Sequence, residues 1–453
     1  MKIEELLKTV ALGTIWPDRP FLIEGLTFGQ VYDQAESIKM ALRRAGCNTA
    51  PVCLCVDNRG LMAAAMLAAL TGGPPLLFPY AYTEQTLMEA HQNVPFSHAL
   101  VQGEYHLPAG VKSIPMPGTT AVTADSIPSD VIEPDALWIY LFTGGSTGSP
   151  RIWSKSPRNL LLEAANLAKT FEITNSDVIL ASVPPNHIYG LLYSVLLPLV
   201  SGACVSCRTP SYPSEIIQAM DETEATVFVS IPAHYRALKA ISIANHRIHT
   251  AFSSAGALSE QDDRAFFEST GIAVLEIYGS TETGGIAFRQ RGAGQSSLQP
   301  FSYIDIRIDG ERLYVRSDFL SDELRTDAKG YFLTTDRVTP MDRAGFEILG
   351  RSDGIIKVGG KRVDLANIAQ VIADIAGVED AYVFAIPVDS GRENEIIAMV
   401  AGRVDADQVI KAAKNSLPPY ALPRRVKVVD QIPLSATGKY NRGAIEKMII
   451  SDQ

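Results

Sequence analysis

Apolar and polar positions change rhythm several times along the chain, and each change predicts an element. From Phe28 to Arg44 apolar residues recur at helical spacing, which predicts an amphipathic helix. Val52 to Val56 is a short, wholly apolar run and reads as a buried strand. Leu61 to Leu70 is Ala- and Leu-rich and stops at Thr71-Gly72-Gly73-Pro74-Pro75. It is too short to span a bilayer and reads as a buried helix with a Gly/Pro stop. A further strand is expected over Pro75 to Phe78. Strand–helix–strand order predicts a wound α/β layer. Residues 107–130, rich in Pro, Ser and Thr, read as a surface loop.

Ala136 to Phe142 is another apolar run, ending at a glycine loop. Val178 to Val183, Ala203 to Ser206, Ala225 to Ser230 and Val274 to Tyr278 read as further buried strands, most of them separated by helical segments. Runs this continuous belong to parallel strands covered on both faces. Between 303 and 350 the pattern alternates instead, over Tyr303 to Ile308, Arg312 to Arg316 and Tyr331 to Val338. Turns are expected at Asp309-Gly310 and Lys329-Gly330. This predicts a half-exposed antiparallel sheet or small barrel. After that come strand patterns at Ala381 to Ile386 and Glu395 to Val400, with helices near Asn367 to Ala376 and Ala406 to Asn415. A domain boundary is expected near Arg351–Gly354. No repeats, low-complexity tracts or long charge runs interrupt the chain.

Composition narrows the classes. The 453 residues are 46 % hydrophobic and 20 % charged, ordinary for a folded chain of several domains. The net charge of −10 argues against a general nucleic-acid binder and weakly against anionic membrane surfaces. Five cysteines, Cys47, Cys53, Cys55, Cys204 and Cys207, read as reduced thiols of a cytoplasmic protein. Cys204-Val205-Ser206-Cys207 has the spacing of half a zinc site, but no second pair accompanies it, so strand packing is expected. Met1-Lys2-Ile3-Glu4-Glu5 is not a signal peptide, and no membrane span is expected.

Five segments carry candidate chemistry. In the first, Thr143-Gly144-Gly145-Ser146-Thr147-Gly148-Ser149-Pro150-Arg151, a buried strand delivers a glycine- and hydroxyl-rich loop able to bring N–H and O–H donors close to phosphate. Arg151 or Lys155 would supply positive charge. It lacks the spacing of a Walker A loop, and the plain alternative is a flexible turn. In the second, Glu276-Ile277-Tyr278-Gly279-Ser280-Thr281-Glu282-Thr283-Gly284-Gly285, Tyr278 offers a ring for a base, Thr281 a donor for phosphate and Glu282 a hard oxygen for Mg²⁺; the alternative is a polar β-turn. The third is Thr334-Thr335-Asp336-Arg337, whose Asp336 suits ribose hydroxyls or a simple strand cap. The fourth runs from Gly350-Arg351-Ser352-Asp353 to Lys357-Val358-Gly359-Gly360. The fifth is Ser435-Ala436-Thr437-Gly438-Lys439, whose lysine in a Gly turn is otherwise a solvated surface residue.

In this order and spacing the five segments resemble the adenylate-forming superfamily: acyl-CoA synthetases, nonribosomal-peptide adenylation domains and luciferases. The resemblance runs from about Leu26 to Ile445. It implies an α/β fold: a large N-terminal domain of wound α/β sheets with a small β-barrel-like subdomain (1–350), a hinge (351–353) with Asp353 at its pivot, and a small mobile α+β C-terminal domain (354–453). It implies that Thr143 to Gly148 and Arg151 hold the triphosphate. Tyr278 stacks on adenine beside Ser254-Ala255-Gly256, with Glu276 and Gly279 among the nucleotide-binding residues. Thr281 contacts the α-phosphate, Glu282 holds Mg²⁺, Asp336 binds the ribose and Arg351 assists. Lys439 acts on the α-phosphate and the substrate carboxylate. After a domain rotation the strand of Lys357 approaches, and Gly359 and Gly360 leave a tunnel for a thiol arm. His187 gates the carboxylate in a segment, Pro184 to Leu191, that resembles the start of the acyl-pocket helix; the alternative is a capping or core histidine. Tyr189, Gly190, Tyr193 and Gly279 shape the pocket.

The implied activity is ATP- and Mg²⁺-dependent ligation of a small carboxylic acid, aryl or medium-sized acyl, to CoA. An acyl carrier protein bearing phosphopantetheine is the rival acceptor, and a non-catalytic nucleotide-binding descendant is the contrasting class. A monomer or homodimer is expected. The chain departs from the family pattern where Pro-Lys becomes Pro150-Arg151, where the family's His is replaced by Lys155-Ser156, and where Thr-Gly-Asp becomes Thr334-Thr335-Asp336.

Overall fold

A computed structural model describes residues 2–13, 16–118, 131–143, 151–239, 241, 243, 246–358, 361–387, 394–435 and 438–450. The chain divides into two compact units. The first comprises Met1–Ser296, Phe301–Ile304 and Ser317–Arg325, and the second Ser297–Pro300, Asp305–Arg316 and Thr326–Gln453.

The first unit holds two wound sheets. One runs in the order Lys112–Pro115, His98–Val101, Val52–Cys55, Leu76–Phe78, Ile139–Thr143, Arg151–Lys155. Its first five strands are parallel and the last returns antiparallel. In the other, Gly284–Arg289, Val274–Ser280, Thr250–Ser253, Val227–Ser230, Val178–Ala181 and Cys204–Val205 follow one another. Among these six, Gly284–Arg289 runs antiparallel to Val274–Ser280 and the other pairings are parallel. Val52–Cys55 and Val227–Ser230 are buried at every position, as their unbroken apolar runs require. Cys53 and Cys55 share one face, their sulfurs 3.9 Å apart, and Cys204 is strand core.

The helices start where the sequence supplies caps. Thr27 and Gln30 form a capping box ahead of Phe28–Arg44, and Asn58 accepts the Leu61 amide at the head of Arg59–Leu70. The latter helix is buried at all of its twelve positions but Leu61. Arg59, wholly buried, donates to the carbonyls of Ala181, Val183, Ser206, Cys207 and Arg208 and to Ser194 Oγ. It thereby fastens the helix of one sheet to strand ends of the other.

The expected loop over 107–130 contains a strand, Lys112–Pro115, parallel to His98–Val101. Three of its four residues are exposed. A short polar edge strand with a terminal proline lacks the apolar pattern that marks central strands.

In the second unit, Asp305–Asp309, Arg312–Arg316, Phe332–Pro340 and Phe346–Arg351 form a four-stranded antiparallel sheet. It is an open sheet, not a closed barrel. Gly310 and Gly330 turn with φ of 60° and 80°, at the two expected turns. A hairpin, Ile355–Val358 with Lys361–Asp364, leads into the helix Leu365–Ala373. Asp364 caps that helix through the Ala366 amide and also pairs with Arg337, which a second ion pair joins to Glu311 at 2.8 Å. The four-stranded sheet therefore groups with the C-terminal elements, whereas the sequence suggested a division near 351. Beyond it, Val378–Pro387, Asn394–Gly402 and Arg425–Val429 make a three-stranded sheet. Ile396, Ala398 and Val400 face one core, with Ile368, Ile372 and Val409. Ile397, Met399 and Ala401 face another, with Ile432, Ile445 and Ile449.

Candidate active site

Each wound sheet contains an antiparallel hairpin, and each hairpin's connecting segment is one of the candidate segments. Thr143 and Arg151 pair across the mouth of the first hairpin, with Thr143 Oγ1 donating to the Arg151 carbonyl at 3.1 Å. Arg151 is exposed there. Gly144, Gly145, Ser146, Thr147 and Gly148 lie outside the described residues.

The second hairpin joins Val274–Ser280 to Gly284–Arg289, and a β-bulge falls between Tyr278 and Gly279. Bulges re-aim side chains beside functional sites. A Cβ at Gly279 would meet the Gly284 carbonyl at 2.3 Å. Glycine is thus demanded there by close approach of the paired strand. The Ser280 amide donates to Thr283 Oγ1 at 3.2 Å, tightening the turn. At its tip, Thr281 and Glu282 are half-buried. Among the described residues, neither side chain has a hydrogen-bond or ion-pair partner. An unengaged carboxylate of this kind suits a hard divalent cation, so Glu282 fits the Mg²⁺ that the resemblance implies.

Glu276 is placed differently from the expectation. Oε1 accepts from the Leu258 amide (3.2 Å) and Arg289 Nη2 (3.0 Å), while Oε2 accepts from Arg289 Nε (2.7 Å) and Arg291 Nη1 (2.9 Å). With both oxygens taken, its carboxylate supports the strand end and the adjoining 254–258 segment. Ser254 Oγ donates to the Ile277 carbonyl at 3.0 Å. Ala255 adopts φ 70°, a left-handed conformation costly for a residue with a Cβ. Gly256 has open space around it, with Pro232 Cγ at 3.8 Å.

Lys155 does not serve the phosphate loop. It is 2 % exposed and turns inward to the carbonyls of Phe319 (2.7 Å) and Glu282 (3.3 Å). Burial pushes its ammonium down to about 8, against the opposing pull of Glu163. Glu163, equally buried, accepts the Gly285 amide at 2.6 Å, and burial pushes it up to about 7. Arg151 is therefore the exposed cation at the first hairpin. Glu163 escaped notice in the sequence; its one signal is a charge on the buried face of the helix Pro157–Thr170.

The residues expected on the acid side follow strand ends of the second sheet, at the carboxyl edge where α/β sheets bind ligands. His187 immediately precedes the short helix Ile188–Leu191 and makes no side-chain cap for it. Gly190 is fixed by packing: a Cβ there would lie 2.0 Å from the Pro184 carbonyl. Tyr189 donates to the Ser230 carbonyl at 3.1 Å. The Tyr193 ring lies 4.9 Å from those of Tyr189 and Phe252. Nearby, Ser182 Oγ meets Ser230 Oγ at 2.7 Å and His234 Nδ1 at 2.8 Å. Burial pushes His234 down to about 4 and keeps it neutral at physiological pH. This serine–histidine cluster was also missed, because its members lie dispersed along the chain and converge only through parallel pairing.

The remaining residues lie in the second unit. Asp336 and Arg351 sit directly opposite on paired strands, with the Asp336 amide donating to Thr334 Oγ1 at 3.3 Å. Neighbours of opposite charge across an antiparallel pair stabilise each other's placement. Lys439 is exposed in a turn closed by the Ser435 amide on the Lys439 carbonyl at 2.7 Å, with Gly438 at φ 73°. Tyr440 anchors that turn through Asp380 Oδ1 at 2.6 Å. Lys357 lies in the strand Ile355–Val358. The side chains of Lys357 and Asp353 fall outside the description, as do Gly359 and Gly360.

A two-unit α/β protein with a polar turn at each sheet's closing hairpin and a lysine turn near its end has the architecture of an adenylate-forming enzyme. The comparisons agree: residues 13–330 match the model of the AMP-binding enzyme family and residues 367–439 that of the AMP-binding enzyme C-terminal domain. The chain belongs to the AMP-binding enzyme family. A sulfoacetate–CoA ligase of Cupriavidus necator is 25 % identical over 485 residues, covering 94 % of each chain. A probable CoA ligase of Humulus lupulus is 25 % identical over 378 residues, 70 % of this chain and 62 % of that protein's length. The crystal structure of ATP-bound MatB from Rhodopseudomonas palustris shares the fold with a TM-score of 0.83 at 19 % identity, covering 98 % of both chains. No helix among the described residues is long and apolar enough to cross a membrane.

Proposed function

We propose that the chain activates a carboxylic acid with ATP and transfers the acyl group to the thiol of CoA. The observation that carries this reading is the second hairpin turn. Its backbone is held in place while, among the described residues, the Thr281 hydroxyl and Glu282 carboxylate have no hydrogen-bond partner. CoA ligases among the relatives support the same chemistry.

In the first step a carboxylate oxygen of the acid attacks the α-phosphorus of ATP, the bond to the β-phosphate breaks, and pyrophosphate leaves with the electron pair. The chain's task is positioning and charge neutralisation. Thr281 donates to the α-phosphate and Arg151 faces the leaving phosphates. Asp336, paired with Arg351, accepts from the ribose hydroxyls, and Lys439 stabilises charge developing between carboxylate and α-phosphate. A magnesium ion on Glu282 supplies charge neutralisation to the polyphosphate when bound. In the second step the thiol attacks the acyl carbon, AMP departs, and the thiol proton passes to solvent. The tyrosines at 189 and 193, with Phe252, favour an aryl or medium-sized acyl group.

Exchange of labelled pyrophosphate into ATP, measured over a panel of aryl and medium-chain acids, tests the first step. Acid-dependent exchange is expected. Binding of ATP without exchange for any acid overturns the ligase reading in favour of a nucleotide-binding descendant. Offering CoA and a holo acyl carrier protein separately to the adenylated enzyme tests the acceptor. Thioester formed only on the carrier protein would reassign it.

A further inference from the structure

Outside the residues given to nucleotide and acid, one pair of buried charges grips the Thr281–Glu282 turn from behind. Lys155 and Glu163 come from consecutive elements, the return strand Arg151–Lys155 and the helix Pro157–Thr170. Lys155 Nζ donates to the Glu282 carbonyl at 3.3 Å and to that of Phe319 at 2.7 Å. The Ser321 amide donates to the same Glu282 carbonyl at 2.9 Å. At the other end, Glu163 Oε1 accepts the Gly285 amide at 2.6 Å. A cation thus holds a carbonyl where the four-residue stretch Glu282–Gly285 begins, and an anion holds an amide where it ends.

The glycines of that stretch fit the carboxylate. A Cβ at 284 would stand 2.8 Å from Glu163 Oε2, and one at 285 would stand 3.3 Å from Oε1. Gly284 also turns with φ 70°, so the Gly-Gly pair both shapes the return and admits Glu163. If the helix and strand needed only to pack, an apolar pair would serve without the desolvation that two buried ions incur. Directed bonds to the backbone on either side of Thr283 are what an apolar pair lacks. Holding a ligand by its own backbone leaves its side chain to the ion, and outer partners of this kind set a ligand's orientation.

We propose that Lys155 and Glu163 are positioning residues that brace both ends of the Glu282–Gly285 stretch, so that the Glu282 carboxylate is pre-aimed at a divalent cation. The proposal rests on the reading of Glu282 as the cation ligand. Both residues are turned to backbone groups of the chain, Lys155 to the Glu282 and Phe319 carbonyls and Glu163 to the Gly285 amide.

The test compares full-length wild type, Lys155→Met, Glu163→Gln and the double variant, with Arg158→Gln as a control on an exposed ion pair of the same helix. Binding of Mn²⁺ with ATP is read by electron paramagnetic resonance, and binding of ATP in excess chelator by calorimetry. In Lys155→Met the Mn²⁺ dissociation constant is expected to rise by about ten- to a hundredfold. ATP binding in chelator stays within about twofold, a change this assay treats as none. Glu163→Gln keeps an acceptor for the Gly285 amide and is expected to show a smaller rise; Arg158→Gln shows none. Folded variants that bind Mn²⁺ with ATP as the wild type does overturn the proposal and leave the pair a packing feature. If Lys155→Met does not fold, the double variant, which leaves no lone buried ion, gives the same readout: weakened Mn²⁺ binding supports the brace and wild-type binding refutes it. Wild type that binds ATP with no dependence on Mn²⁺ refutes the cation site itself, and the brace with it.

Discussion

Replacing Arg59 by leucine removes a buried side chain that fastens the helix Arg59–Leu70 to the second sheet of the same unit. Five backbone carbonyls and Ser194 Oγ lose a donor at distances between 2.8 and 3.2 Å. Leucine fills much of the apolar volume and supplies no donor. An interior acceptor left unpaired costs about 1–3 kcal/mol, so five carbonyls set a loss of roughly 5 kcal/mol at the low end. Against this stands relief from burying a guanidinium, whose ionisation burial pushes down to about 10. At about 1.4 kcal/mol per pH unit, that relief is near 3 kcal/mol. Partial pairing of the carbonyls with other amides lowers the loss, and their mutual dependence raises it. From the low end of that range to its middle the loss exceeds the relief by roughly 2 to 7 kcal/mol, which reaches into the severe class of single substitutions.

Domains are commonly stable by about 5–15 kcal/mol, so Arg59→Leu should leave the first unit marginal. Urea unfolding followed by far-ultraviolet circular dichroism, with soluble yield beside it, measures the effect. Arg59→Lys is expected to fall between, because a point ammonium reaches fewer of the five carbonyls than a planar fork does. A midpoint shift for Arg59→Leu worth less than ~1.5 kcal/mol would refute the accounting. It would mean that amides or water take over the abandoned carbonyls.

Three further outcomes follow from the site. Lys439→Ala should depress acid-dependent pyrophosphate exchange by about a hundredfold or more while largely sparing thioester formation from supplied acyl-adenylate; equal loss of both half-reactions would remove the role given to that lysine. The folded-state pKa of His234, about 4, lies below its ordinary 6.5, so on acidification the unfolded chain binds the proton first. Its contribution is complete above about pH 6.5 and is lost as pH falls towards 4, by roughly 3 kcal/mol at the limit. Thermal unfolding across that window should flatten in His234→Asn, and an unchanged slope would contradict the burial argument. Gly190→Ala places a Cβ 2.0 Å from the Pro184 carbonyl, and the backbone turn carrying His187 must move. A shift of about 1 Å can cost a hundredfold, so kcat/KM for the acid should fall far more than ATP affinity does.

Most of the fold was legible because its strands are buried on both faces and therefore read as unbroken apolar runs. Phe28–Arg44 and Arg59–Leu70 lie where helical spacing and stop signals put them. Lys112–Pro115 was not legible, since an exposed edge strand carries no such pattern. At the candidate site, residues proposed on their type stood out in the sequence: a glutamate in a polar turn, an aspartate in a strand, a lysine after a turn glycine. Residues whose direction decides their part were not. Lys155 reads as a second phosphate cation until burial turns it to a carbonyl 127 positions away. Glu276 reads as a nucleotide residue until two arginines occupy its carboxylate. A charge's partner is set by long-range packing, and one local segment does not contain it.

The return strands explain why the two turns stood out at all. In a sheet built from parallel strands, each strand is followed by a helix that carries the chain back, so its carboxyl end runs into a helix start. Ile139–Thr143 and Val274–Ser280 are followed instead by antiparallel neighbours. The chain must therefore reverse within a few residues at the edge where α/β sheets take ligands. Reversal that tight selects glycine and small hydroxyl residues, and the same residues present backbone amides and hydroxyls to an anion. The requirement of the turn and the requirement of the ligand thus coincide in composition. An apolar run passing directly into Gly, Ser and Thr, with no helix between, marks both at once. Neither requirement alone selects Glu282. A carboxylate at a turn tip serves the reversal no better than other polar residues, and the cation site proposed for Glu282 would account for its presence there.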